Sequence, residues 1–275
     1  MHMMTPIAAS TGGSNSPLSR FHRRIQEKTV DRSVRAPLIV ALGDSVTQGV
    51  AAVDQFLHEE VYHRQFAHLL EQKHPTCIFN TINAGVDGQT TRDALVRLDR
   101  DVLPHRPDLL LVAFGLNDAV QGGLEKLDDY QANIEAIIHR TRREAECDII
   151  LLTPNMMLSR DNVMVAPQHR HLVHQFLEIQ NGGVLAAYAQ RLRQIGRDQN
   201  IPIADLYTAW ETLAQKGTDT TAMLSNGLNH PTAEGHRMAA QVLMSVMDEF
   251  PSPCVDVVGG AQTPLSLTLQ THQNL

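Results

Sequence analysis

Cysteine, aromatic residues and long apolar runs are all scarce in this chain. Its three cysteines, Cys77, Cys147 and Cys254, are odd in number and widely spaced, which suggests neither a disulfide framework nor a zinc knuckle and fits a reducing compartment. Aromatics make up 4% of the residues, too few for a base-stacking platform or a membrane aromatic belt. With 23 Lys and Arg against 30 Asp and Glu, the formal charge is −7, so nucleic acid is not an expected partner. No segment is long and apolar enough for a membrane span. Residues 1–35 lack a signal-peptide core, because Met3 to Ala9 is interrupted by Thr5 and Pro6. A cytoplasmic protein is the expectation. Neither a P-loop nor a dinucleotide glycine fingerprint occurs, which argues against a nucleotide binder.

What the chain does contain is an alternation of short apolar runs and amphipathic stretches. Leu38 to Leu42 is continuously apolar, as a strand covered on both faces should be. Helical spacing follows at Val61, Tyr62, Phe66, Leu69 and Leu70, and stops before Pro75. Further strands are predicted at Cys77 to Ile82, Leu109 to Phe114, Ile149 to Leu152 and Ile201 to Ala204. Between and after them, helices are predicted over Thr91 to Val102, along the Ile134, Ile137, Ile138 and Ala145 stripe, around Leu185 to Ile195, and from Thr232 to Met247. Such βαβ units predict an α/β fold with a mainly parallel, five-stranded sheet of flavodoxin-like order. One domain over residues 36–250 is expected, preceded by a loosely ordered arm (1–35) and followed by an irregular tail (251–275). Thr153 to Gln168, with two prolines and no clean period, is expected to cover the site.

Ligands of such sheets bind beyond the carboxyl ends of the strands. There the first strand ends in Gly43-Asp44-Ser45, which delivers a serine to the crevice, although Asp44 and Ser45 would equally cap the next helix. A serine hydroxyl needs a base to become a nucleophile. The loop after the second strand, Asn83 to Thr90, carries Gly85 and Gly88, and the loop after the third carries Asn117. The N–H groups of Ser45 and Gly88 with the Asn117 amide would form an oxyanion hole; taken singly, the glycines also suit a tight turn and Asn117 an Asx-turn. His230 is the candidate base. Pro231 suits a first helical position, which would set His230 at a helix N-terminus whose dipole disfavours imidazolium. His169, His171 and His174 lack partner ligands for a metal site and read as a solvated helix face.

Together the blocks resemble those of the SGNH hydrolases, the GDSL esterase/lipase family. Gly43-Asp44-Ser45 with Gly49, Asn83 through Gly88, Gly115-Leu116-Asn117-Asp118, and His230-Pro231 with Gly235-His236 follow the family's order over about residues 38–248. The resemblance implies a three-layer α/β/α fold, no cofactor, a small-molecule ester as partner, Ser45 as nucleophile, Gly88 and Asn117 in the oxyanion hole, and His230 as base. Asp44 and Asp118 would support the loops. Asp87 is an oddity, since a carboxylate beside the hole would oppose an oxyanion unless it points away.

One position departs from the family pattern. An Asp three residues before the histidine is usual, and Gly227 stands there. Asn226, Asp205 or a main-chain carbonyl are the alternative orienters of the histidine. The expected activity is ester hydrolysis through an acyl-enzyme, on a small acyl group such as acetate on a carbohydrate. Asp44 and Met156 are placed on the substrate side, where Met156-Met157 would instead suit a longer acyl chain. A ligand-binding module with weak turnover is the competing class.

Overall fold

The computed structural model describes residues 16–251. The chain enters through α1 (Ser19–Val30) and β1 (Leu38–Gly43), turns through the short α2 (Ser45–Gln48), and forms a hairpin of β2 (Val50–Ala52) and β3 (Gln55–Phe56). Then come α3 (Tyr62–Lys73), β4 (Asn80–Gly85), α4 (Thr91–Asp101), β5 (Leu109–Ala113), α5 (Leu116–Gly122), α6 (Leu127–Glu144) and β6 (Asp148–Leu152). The last part carries α7 (Val173–Asn181), α8 (Val184–Gln199), β7 (Ile203–Ala204), α9 (Leu206–Gln215) and α10 (Ala233–Glu249).

β4-β1-β5-β6-β7 is the order of the main sheet, and every pair in it is parallel. Counting only its own strands, this is the 2-1-3-4-5 order of doubly wound sheets, whose crevice lies where β1 meets β5. Alternate residues of each strand feed two cores. Val40, Leu42, Leu110, Val112 and Leu151 pack with α4, α6 and α8, whereas Ile39, Ala41, Leu109, Leu111 and Ile150 pack with α1, α3 and α10. The result is the three-layer α/β/α arrangement.

Three segments differ from the sequence reading. Residues 19–30 are not a loose arm: Leu18, Phe21 and Ile25 are buried beneath the sheet, and the Phe21 N–H donates to Asp148 Oδ2 at 2.7 Å. That apolar spacing is helical, but it is short and sits among Arg20, Arg23 and Arg24, which masked it. Residues 1–15 and 252–275 of the expected arm and tail lie outside the described residues. β4 begins at Asn80 rather than Cys77, because Cys77 is buried with the α3 core before the strand starts. Finally, Pro231 is not the first residue of the last helix. It bridges to Leu224, and Thr232 caps α10 by accepting from the Gly235 N–H.

Candidate active site

Gly43 ends β1 opposite Gly85 of β4 and Ala113 of β5, so the three following loops rise from the same edge of the sheet. A Cβ on Gly43 would lie 1.9 Å from Thr47 Oγ1, which is why the chain can turn there only with glycine. Asp44 Oδ1 accepts the Val46 N–H at 3.0 Å and caps α2, leaving Ser45 as its first residue, 2% exposed. The first-turn N–H groups of a helix have no helical acceptor and are free for another ligand. Burial is the main reason that the Asp44 carboxyl is pushed up to about 7. Asp44 therefore supports the turn that carries Ser45, and it does not line the cavity beside His230.

A residue outside the family blocks ties these loops together. Arg97, 5% exposed, donates from Nη2 to the Gly43 carbonyl at 2.8 Å and from Nη1 to the Ala84 carbonyl at 2.7 Å, and it pairs with Asp101 at 2.9 Å. It falls on the inward stripe of α4 between Ala94 and Leu98, so a cation at an apolar position was its signal in the sequence. Asp118 Oδ1 accepts both the N–H and the hydroxyl of Thr91, joining the third loop to α4.

His230 comes from the far end of the chain. Its Nε2 lies 2.9 Å from Ser45 Oγ, a hydrogen bond spanning 185 residues of sequence. The loop that carries it is wound on Asn226, whose Oδ1 accepts the N–H groups of Leu228, Asn229 and His230, each at 3.0 Å. Gly227 occupies the left-handed region at φ 73°, and a Cβ there would meet Asn162 Nδ2 and the Val165 nitrogen at 3.1 Å. Burial, with a nearby Asp87 charge opposing it, holds His230 down to about 4. That replaces the expected cause, a helix dipole, since α10 starts three residues further on.

A model of the GDSL-like lipase/acylhydrolase family matches residues 41–238. The chain belongs to this family. As a GDSL hydrolase it is a carboxylic ester hydrolase. The lipase/acylhydrolase from Enterococcus faecalis superposes with a TM-score of 0.60 at 23% identity, over 78% of this chain and 96% of that one. An acetylxylan esterase from Geobacillus stearothermophilus is 24% identical over 184 residues, 64% of this chain and 75% of its own, and its structure superposes with a TM-score of 0.59. Catalytic mutants of that esterase replace a serine, an aspartate and a histidine. A third relative, an uncharacterized lipoprotein of Bacillus subtilis, is 25% identical over 73% of this chain and 85% of its own. Among the described residues of this GDSL hydrolase, no helix is long and apolar enough to cross a membrane.

The remaining sequence-derived positions of the GDSL chain divide sharply. Gly88 adopts φ 73° and its N–H has no backbone acceptor. Asn117 is the second residue of α5, just after β5, with Nδ2 donating to the Gln89 carbonyl at 3.0 Å; an amide nitrogen has a second hydrogen to offer. Neither proposed side-chain orienter reaches the His230 ring. Asp205 forms an ion pair with Arg193 at 2.8 Å and caps α9, and Asn226 spends its carbonyl on the turn. His230 Nδ1 is buried with no hydrogen-bond partner. Met156 is buried in the core cluster that includes α7 and does not line the cavity beside His230. Instead a cavity of about 420 Å³ beside His230 is lined by Gln48, Phe56, Asp87, Met164 and His169, among others. The sequence reading missed the β2–β3 hairpin that supplies Phe56, and it set His169 aside as solvated. Among the described residues no cluster of His, Cys, Asp or Glu is placed to hold a metal ion.

Proposed function

We propose that this GDSL hydrolase cleaves small acyl esters through an acyl-enzyme on Ser45. In this reading His230 Nε2 takes the hydroxyl proton as Oγ attacks the ester carbonyl, then gives it to the leaving alcohol. The same ring next takes a proton from water as that water attacks the acyl carbon, and gives that proton back to Ser45 Oγ as the acyl–serine bond breaks and the carboxylic acid leaves. The Ser45 and Gly88 N–H groups and the Asn117 amide receive the oxyanion; each such donor is worth about 3 kcal/mol. The 2.9 Å contact between His230 and Ser45 carries the proposal, because nothing in the fold itself needs it.

An acetyl ester of a carbohydrate is the preferred substrate class, supported by the acetylxylan esterase among the relatives. One observation favours a longer acyl chain: Val53, Phe56 and Met164, all lining the cavity, are 46%, 47% and 70% exposed and give it an apolar mouth. Hydrolysis of p-nitrophenyl acetate against a p-nitrophenyl ester of a long-chain acid separates the two. A fluorophosphonate should label wild type at Ser45, and Ser45→Ala and His230→Ala should each lose at least about 10⁴-fold in turnover. An unlabelled, inactive wild type that binds acylated ligands would instead establish the binding module. For location, the free thiols of Cys77 and Cys147 among the described residues support a cytoplasmic protein and the lipoprotein relative supports the cell envelope; cell fractionation decides between them.

A further inference from the structure

The histidine of this site lacks the carboxylate that the family pattern places three residues before it. Gly227 cannot simply be given one, since its φ of 73° disfavours a side chain and Asn162 and Val165 already fill the space. His230 Nδ1 is left buried without a hydrogen-bond partner. During catalysis the ring nevertheless becomes a cation, and a buried cation without compensation is costly.

Two groups from other loops face it. The register of the β2–β3 hairpin shifts between Val50 and Ala52, so Ala51 falls outside the regular pairing, and its carbonyl accepts the Ser225 hydroxyl at 2.7 Å. The same carbonyl acts on the His230 ring in favour of its protonated form without closing a hydrogen bond to Nδ1. It supplies a dipole but no charge. The carboxylates lining the cavity are Asp54, at the hairpin turn, and Asp87, just before Gly88. Asp87 is anchored through its main chain, its N–H donating to Gln48 Oε1 at 2.8 Å, while its side chain stays exposed to the cavity.

Resting on the Ser45–His230 reading, we propose that Asp87 is the positioning carboxylate of this enzyme, supplying across the cavity the negative charge that its own loop denies His230. Of the groups acting on the ring, Asp87 raises its proton affinity most; His169, lining the same cavity, lowers it, and the neutral His236 lies on the sheet side. The arrangement also places the charge where it is tunable. A carboxylate exposed in the cavity is screened by salt, whereas one buried against Nδ1 is screened much less.

The deciding measurement is an NMR titration of the His230 imidazole in wild type, Asp87→Asn, Asp87→Glu and Asp54→Asn, run alongside the pH profile of kcat/KM. The titration reads the interaction whether or not the enzyme turns over, so failure of the hydrolase reading is seen separately as absent labelling at Ser45. Asp87→Asn should lower the His230 midpoint by about one pH unit and slow kcat by about tenfold, the same free energy seen twice. Asp87→Glu should restore most of both. Raising salt should move the wild-type midpoint toward that of Asp87→Asn and leave the variant unmoved. An unchanged midpoint in Asp87→Asn, or an equal shift in Asp54→Asn, overturns the assignment. Loss of kcat with the midpoint unmoved assigns Asp87 to loop structure alone and overturns it too.

Discussion

The serine and the histidine of this site are held by opposite means. Ser45 stands at the end of a central strand, with Arg97 tying the Gly43 and Ala84 carbonyls and Asp118 joining the next loop to α4. His230 rides on a loop that one amide, Asn226, winds up from within, and its second ring nitrogen has no partner. Ser45 inherits its place from the sheet, which needs buried polar bracing because the ends of β1 and β4 expose carbonyls in a dry interior. His230 inherits its place from a local turn. Charge support for it therefore has to come from somewhere else in the molecule.

Removing the brace should produce the largest change in stability. Arg97→Leu leaves the buried Gly43 and Ala84 carbonyls without their cation, at about 3 kcal/mol in urea unfolding, and it should take activity with it although Arg97 does not line the cavity. A variant as stable as wild type would show that the sheet alone holds the serine loop.

The histidine side is probed by trying to repair it. Gly227→Asp puts back the carboxylate of the family pattern, but at φ 73° and against Val165 it should cost about 1–2 kcal/mol and leave kcat no higher than wild type. A gain in kcat with an undiminished Tm would show that this loop accepts the usual acid after all, and the contrast between the two sides would collapse.

A finer comparison is by pH. The neutral imidazole is the active form of a base, and burial holds His230 down to about 4. Activity should thus persist as pH falls through 6.5, where a free histidine protonates, and decline only near pH 4 in the profile of kcat/KM. A limb near pH 6.5 would mean that the ring is better solvated, or better paired, than its surroundings indicate.

Much of this was legible in the residues. The run Leu38 to Leu42, the helix over Thr91 to Val102 and the polar blocks at Ser45, Gly88, Asn117 and His230 announced a doubly wound sheet with one loaded edge, because burial on both faces and glycine at turns leave local marks. α1 was overlooked, since three apolar residues among arginines make a weak period until a sheet is present to cover them. Met156 is buried with the core: an apolar residue in a site-flanking segment can face the core or the ligand, and spacing alone does not tell which. Arg97 and Asp87 carry no motif. Their meaning depends on which carbonyls and which ring lie opposite.

By itself, then, the sequence determined the fold class, the order of the strands and the residue types delivered to the sheet's edge, all of which follow from short-range patterns of burial and backbone freedom. Only the tertiary structure decided that His230 meets Ser45 across 185 residues, that Asp205 is spent on Arg193, and that Gly227 has no room for a carboxylate. Those are matters of distance and direction between segments far apart in the chain, and a one-dimensional pattern records neither.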